Sequence, residues 1–473
     1  MKSKFAAFIL LFAAVFVLAS CLNSDDNYTY NDDSAITSFS ITSAKQYLHV
    51  KSANGGDSVV VKDVKLSSYK FYINQQTNEI YNPDSLPCGV NTKRLICSIS
   101  SKNSGVVLMK SYTSDSLSYI SSADSLDFSA TRELHVYSNS GNAVRKYTVK
   151  VNVHNEMPDS FVWHNAPDCE AIQSLSAVRL VALDGKVLLF GKDGDHTSVF
   201  VNSGDNWTPC TPNFNHLLAA DAYMGVVTKD NRAFISDGGN IMSTADGSNW
   251  TVEGSATGIT RLVAASSVRL YGYAADGRLM ASSDNGNSWS AATLDDDISL
   301  LPTAETAYTC QPVVTNEKTE RVLLFGSRNA TSYPSDNNLT IWGKVDEWAA
   351  DSENQPWNYY NVAPENSHKA PLLTNISAFC YDGKALVFGN AKSAVVPAVY
   401  STRDGGITWT QDTTVVVPDN FVNGVPTGGN TRSFGIASDK NNVVWLVNAG
   451  SGKTWRGRLN RLGWKKEQTD FTE

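Results

Sequence analysis

Charge is scarce in this chain, and basic charge is scarcer than acidic. Asp, Glu, Lys and Arg make up 18% of 473 residues, and 47 acidic groups outnumber 39 basic ones, giving a net charge of −8. Such a balance offers no basic footprint from which counterions could be released, which excludes nucleic acid as a partner. Cysteine is sparse, seven in all, with no Cys-x-x-Cys and no Cys/His pairing, so no zinc site is expected. His164, His196, His216 and His368 fall in separate segments without the paired spacing a copper centre needs. No metal and no cofactor is expected. Beyond the first twenty residues no apolar run is long enough to cross a bilayer.

The one long apolar run is N-terminal. Lys2 and Lys4 precede Phe5 to Ala19, and the run stops at a cysteine. It is too short to span a membrane and reads as a secretory signal over residues 1–20. Leu18-Ala19-Ser20-Cys21 resembles a bacterial lipobox, in which Cys21 becomes the acylated first residue of the mature chain. Ser24, Asp25 and Asp26 then resemble the acidic signal that sends lipoproteins of the Bacteroidota to the outer face of their outer membrane. Residues 21–34 would be the lipidated tether, and the lipid the sole membrane attachment. Six cysteines remain after Cys21, an even number that permits disulfides, with Cys88 and Cys97 close enough in sequence for a local bridge.

The C-terminal two thirds repeats a phrase of apolar strand, polar turn and Gly-x-x-Trp. Its clearest copies carry Ser282, Asp284, Gly286 and Trp289, and Thr402, Asp404, Gly406 and Trp409. A worn copy holds Thr244, Asp246, Gly247 and Trp250, and another ends at Trp207. These resemble Asp boxes, in which Asp and Ser or Thr accept turn N–H groups, Gly takes positive φ and Trp packs between blades. Hairpins turn at Asp184-Gly185 and Asp382-Gly383 in matching cadence. Recurrence at roughly 40 to 55 residues predicts a β-propeller over 161–473, of about six blades with seven as the alternative. Phe161-Val162-Trp163-His164 precedes the first full unit and is expected to complete the last blade, closing the ring.

Residues 35–154 read differently. Ile36, Phe39 and Ile41, then Val59 and Val61, and finally Tyr147, Val149, Val151 and Val153 suggest an antiparallel sandwich of seven to nine short strands. Residues 155–160 form a short polar linker. The phrases Phe71-Tyr72-Ile73, Ile80 to Pro87, Ser125 to Ser129 and Lys150 to His154 resemble a two-part lipoprotein family of the Bacteroidota. That resemblance implies an all-β chain with an immunoglobulin-like domain preceding the propeller, and carries no activity with it. Asp-Ser triplets at Ser34, Ser58, Ser85, Ser116 and Ser125 resemble the O-glycosylation sequon of exported proteins of that phylum.

No catalytic residue is assigned. A sialidase would need a cluster of arginines, one in a Phe/Tyr-Arg-Ile-Pro phrase, plus a Tyr–Glu pair; the phrase is absent and the arginines are scattered along the sequence. Carboxylates for glycoside hydrolysis are plentiful, among them Asp195, Asp221, Asp246, Glu305, Asp351 and Glu365, but spacing selects none. The stretched fourth unit offers Trp342, Trp348 and Trp357 as ligand contacts. The last strand offers Arg456 and Arg458, read either as an anion-binding pair or as the outward residues of a strand holding Trp455 and Leu459 inward. The leading expectation is noncatalytic recognition of a glycan or protein ligand. A carbohydrate-active enzyme and a structural subunit of a surface assembly are the alternatives.

Overall fold

The computed structural model describes residues 30–51, 56–204, 206–350, 352–361, 365–391, 396–422 and 433–464. The signal segment, Cys21 and the Ser24, Asp25 and Asp26 signal lie outside the described residues. The chain divides between Met157 and Pro158 into two units, inside the expected linker. Among the described residues all regular structure is strand or short 3-10 turn, and no helix is long and apolar enough to cross a membrane.

The first unit holds ten strands in two sheets, one more than the upper expectation. One sheet runs Asp57–Lys65, Ile36–Lys51, Leu95–Ser101, Ser125–Leu126; the other runs Tyr72–Asn74, Glu79–Tyr81, Val144–Lys150, Arg132–Tyr137, Val106–Lys110, Leu117–Tyr119. Their inner faces share one core containing Ile36, Phe39, Ile41, Ile80, Leu134, Tyr147 and Val149. Ile36 and Phe39 are three apart, which strict alternation would put on opposite faces. A bulge between Ile36 and Ser38 restores the phase, and a second after Ile41 does the same for Ala44. Val59 and Val61, expected in the core, are exposed. Their strand pairs only with Ser43–Lys51, past the part of the first strand that Leu95–Ser101 covers. All six cysteines among the described residues are free: Cys97 points into the core, where burial pushes its thiol up to about 12, so the Cys88–Cys97 bridge is not formed. Of the sequon serines, Ser58, Ser116 and Ser125 are exposed and Ser34 is buried.

The second unit contains six antiparallel sheets among the described residues. Sheets 1 to 5 begin with the strands Ala177–Leu183, Val227–Lys229, Ile259–Ala265, Glu305–Pro312 and Thr374–Tyr381, each followed outward by its next three in chain order. Sheet 6 begins with Phe434–Ser438 and is completed by Phe161–Ala166, which pairs along the whole of Lys453–Leu459 from Phe161 opposite Leu459 to Ala166 opposite Thr454. First strands of sheets 2 to 6 adjoin in succession, the first strand of sheet 1 adjoins the second strand of sheet 2, and sheet 6 adjoins sheet 1, so the sheets close a ring. This is the architecture of a β-propeller, whose radial repetition leaves few bare edges.

The local chemistry is visible at the turns. Asp382 and Gly383 have φ of 51° and 68°, the pair of positive values that a two-residue hairpin matched to strand twist requires. Apolar runs such as Val187 to Phe190 are buried on both faces, because every sheet is packed between two others.

Candidate functional site

Each inner strand starts at the same end of the ring, and the residues at those starts line a cavity of about 260 Å³. Ser176 to Arg179 come from sheet 1, Tyr223 and Met224 from the 3-10 turn before sheet 2, Glu305 and Thr306 from sheet 4, Asn375 and Ile376 from sheet 5, and Ser433 from sheet 6. A second cavity of about 490 Å³ lies among later residues of the same strands, and Arg179 borders both.

One guanidinium, Arg179, lines this mouth, and a second, Arg261, lies beside it. Arg179 reaches from sheet 1 to sheet 4, opposite it in the ring, where its Nη2 donates to the Thr306 carbonyl at 2.8 Å. Arg261, third residue of its strand as Arg179 is of its own, donates from Nη2 to the Thr303 carbonyl at 2.8 Å. The two carbonyls flank Glu305. Burial lowers the proton affinity of each guanidinium, and for Arg179 the charge of Arg261 lowers it further, so the groups feel one another. Among the described residues each makes one hydrogen bond and no ion pair, which leaves four of five N–H donors per guanidinium uncommitted.

Glu305 does not neutralise them by a direct pair. Its Oε2 accepts the Ile376 N–H at 3.1 Å, and the Asn375 N–H also donates to the carboxylate. Two consecutive N–H groups can point one way because Asn375 sits at φ 52°, within a bulge between Thr374 and Ser377. Burial raises the proton affinity of Glu305, and the two N–H groups and the two arginines oppose it. A further bulge between Ile259 and Arg261 re-aims sheet 3 at the same mouth. Gly326 is required here, since a Cβ would stand 1.8 Å from the Glu305 carbonyl oxygen. Tyr223, its phenol pushed up by burial, completes the wall, and the exposed Lys192–Asp221 pair at 3.0 Å sits at the rim.

The sequence-level candidates lie elsewhere. Trp342 and Trp357 are 0% and 1% exposed. Trp342 belongs to the strand Thr340–Glu347, its Nε1 donating to the Leu300 carbonyl at 3.1 Å, and Trp357 packs edge-on against Tyr271 at 5.0 Å. Neither can offer a ligand platform, because both faces are covered by core. Trp348 is half-buried. Arg456 and Arg458 point away from the core around Trp455 and Leu459, and Arg456 lies over the Trp445 ring at 5.4 Å. Of the six carboxylates, Glu305 lines the mouth, and Asp221 is exposed and paired with Lys192. Asp195 and Glu365 are exposed elsewhere, and Asp351 is outside the described residues. His216 pairs with Asp237 at 2.8 Å and His196 with Asp195 at 3.2 Å; among the described residues no cluster could hold a metal.

The three Asp-containing turns are closed on themselves. Gly247, Gly286 and Gly406 have φ of 79°, 96° and 102°, and their N–H groups donate to Thr244, Ser282 and Thr402 at 2.9, 2.8 and 3.0 Å. Asp246, Asp284 and Asp404 accept from the next residues, which holds the first two carboxyls at about 2. Trp250 and Trp409 are buried and return their Nε1 to the turn glycine's carbonyl, whereas Trp289 is half-buried and donates to Ser255 on the neighbouring sheet at 3.0 Å. These turns join third to fourth strands, at the end of the ring opposite the mouth.

A second polar cluster was invisible in the sequence. Asp346, 0% exposed, accepts Arg269 at 2.5 Å, Ser266 at 2.6 Å and Tyr271 at 2.7 Å, with Lys344 at 3.6 Å. It knits sheets 3 and 4 together, and its partners Arg269, Tyr271 and Lys344 border a cavity of about 150 Å³.

Likeness to known proteins is distant. A structural genomics protein of unknown function from Bacteroides thetaiotaomicron is 11% identical, with 91% of this chain and 99% of that one covered and a TM-score of 0.40. The GH74 xyloglucanase from Xanthomonas campestris is 14% identical, over 63% of this chain and 46% of its own, with a TM-score of 0.34. YCF48 from Cyanidioschyzon merolae is 14% identical, over 63% and 98%, with a TM-score of 0.30. No curated protein matches. Family profiles do match both units: the DUF6242 N-terminal domain of unknown function over residues 39–151, and the DUF6242 beta propeller domain over residues 157–467. The chain therefore belongs to the two-part DUF6242 family, an N-terminal domain followed by a β-propeller.

Proposed function

We propose that the chain is a lipid-anchored surface protein of a Bacteroidota outer membrane that recognises an anionic ligand, glycan or protein, at the propeller mouth without transforming it. In this reading Cys21 carries the lipid, Ser24, Asp25 and Asp26 direct it outward, and an immunoglobulin-like domain spaces a six-bladed propeller from the membrane. The three Asp-containing turns are Asp boxes and serve as scaffold. The observation that carries the reading is Arg179 on the cavity wall with most of its donors uncommitted, and Arg261 from another repeat beside it, close enough to lower its proton affinity. Uncommitted guanidinium donors in a partly dry mouth match the fork geometry of a carboxylate or related anion.

Removing both side chains, as Arg179→Ala with Arg261→Ala, is expected to weaken retention of anionic ligands roughly 100-fold or more. Each charge-assisted hydrogen bond lost from such a site costs about 1.5–3 kcal/mol. The mature chain and the double variant, both confirmed folded by circular dichroism, would be run on the same glycan and peptide arrays. Unchanged retention would remove the mouth as the binding site.

Anchoring is tested separately. Cells fed an alkyne-tagged fatty acid should label the chain, and Cys21→Ala should abolish the label and release the protein from the membrane fraction. A labelled Cys21→Ala chain would place the lipid elsewhere.

One observation favours an enzymatic second reading. Glu305 lines the cavity, and burial raises its proton affinity, as a general acid needs. Hydrolysis would be seen as new product masses on incubation with the retained ligand.

A further inference from the structure

The mouth holds more than positive charge, and the mixture narrows its ligand. Arg179 shares its wall with one carboxylate, Glu305, one phenol, Tyr223, and the hydroxyl of Ser433, and the Arg261 guanidinium lies beside it, hydrogen-bonded to Thr303 two residues before Glu305. Ser433 is 2% exposed, and its Oγ finds no hydrogen-bond partner among the described residues. A buried hydroxyl left without a partner costs free energy unless something else fills the role, so its position on the cavity wall is a second sign of a missing polar group.

We infer that this mouth takes a sugar acid: one carboxylate held by Arg179 and Arg261, with neighbouring ring hydroxyls donating to Glu305 and exchanging a hydrogen bond with Ser433. The inference rests on the reading that the mouth is the binding site.

Three features select this class. Arg179 with Arg261 beside it, against Glu305, gives one net positive charge around the mouth, which a monoanion neutralises and a dianionic phosphate would exceed. One Glu305 oxygen is tied to the Ile376 N–H, and the carboxylate keeps lone pairs that only a donor can use. Sugar hydroxyls beside a carboxylate are such donors, and a bare sulfate ion has none. Size agrees as well: about 260 Å³ lies just below the ~300 Å³ at which ligand pockets usually begin, which suits one ring rather than an oligosaccharide. A peptide C-terminus would supply the carboxylate but bring a side chain and an amide to a wall made of Ser176, Thr306, Asn375 and Ser433.

The test is calorimetric titration of the mature chain with single probes: glucuronic acid, galacturonic acid and N-acetylneuraminic acid, against glucose, galactose, glucose 6-sulfate and acetyl-Gly-Gly. At least one sugar acid should bind roughly 10-fold or more tighter than its neutral counterpart and than the sulfate and peptide probes. Arg261→Ala should remove that preference. Glu305→Gln should tighten binding of the anionic probes alike, because it removes a charge of their own sign while keeping an acceptor. Tighter binding of the sulfate or the peptide, abolished by Arg261→Ala, would overturn the sugar-acid assignment and leave the mouth as an anion site. Binding of none of the anionic probes, or binding indifferent to Arg179→Ala and Arg261→Ala together, would overturn both.

Discussion

Deleting residues 158–166 should abolish the cooperative unfolding transition of the second unit while leaving that of the first in place. Phe161–Ala166 is the fourth strand of sheet 6, and it arrives from the opposite end of the domain's sequence to the strand it pairs with. The Phe161 and Trp163 rings lie over Gly457, where an added Cβ would stand 2.4 and 2.6 Å from them, and Trp163 Nε1 donates to the Val416 carbonyl at 2.6 Å. Arg461 binds Asp159 on one side and Asp382 of sheet 5 on the other, at 2.9 and 2.7 Å. Deletion leaves Lys453–Leu459 as a bare sheet edge, uncovers the Tyr381 face that Phe161 packs on, and breaks the covalent route by which the ring is closed. A domain's net stability is only about 5–15 kcal/mol, so loss of a whole strand with two half-buried aromatics is enough to unfold it. Differential scanning calorimetry of the mature chain reads both transitions at once. An unchanged second transition would mean that sheet 6 is self-sufficient with three strands.

The second large effect is expected at Trp342. Replacing it by alanine should destabilise the propeller by about 3–5 kcal/mol, as for other fully buried aromatics, because the indole is enclosed by Val322, Leu324 and Tyr359 and its N–H is spent on Leu300. Trp348→Ala, at a half-buried position beyond that core, should cost well under half as much. Urea unfolding followed by far-ultraviolet circular dichroism measures both. If Trp342→Ala left the midpoint in place and cut ligand retention instead, the indole would be a ligand contact and its burial in the core would be wrong.

These two residues also show where the sequence was legible and where it was not. Phe161 to His164 could be read as a closing strand because a lone apolar segment before a repeat array has one edge to fill. The Asp-Gly hairpins were legible for a similar reason: positive φ at two adjacent positions admits few residue types, so Asp382-Gly383 names its own geometry. Trp342 was misplaced because the fourth repeat is long, and length alone does not distinguish an inserted loop from a strand followed by one. Here Thr340–Glu347 is the strand, and the added residues lie on both sides of it, over 328–339 and 348–357.

The mouth escaped for another reason. Arg179, Arg261 and Glu305 are far apart in sequence, carry no motif, and meet only because each starts an inner strand at the same end of the ring. The signal that could have found the arginines was positional: each is the third residue of its repeat's first strand. Laying the repeats over one another by their hairpins, rather than by their Gly-x-x-Trp turns, would have put the two in one column. Asn375 gives a weaker hint, since nothing in its neighbourhood announces the bulge that lets two N–H groups serve Glu305.

The closing strand has a mechanical consequence. Phe161 and Leu459 are opposite one another at the end of the pair from which both chain segments leave, and Arg461 N–H meets the Pro158 carbonyl at 3.1 Å just outside it. Tension applied between the two exits would therefore peel the strands, breaking hydrogen bonds one after another, rather than shear them all together. The Arg461 bridge from Asp159 to Asp382 stands first in that sequence, so it sets the force at which the ring begins to open. A protein held only by its N-terminus never feels that load; one gripped at both ends would yield at this seam before any other.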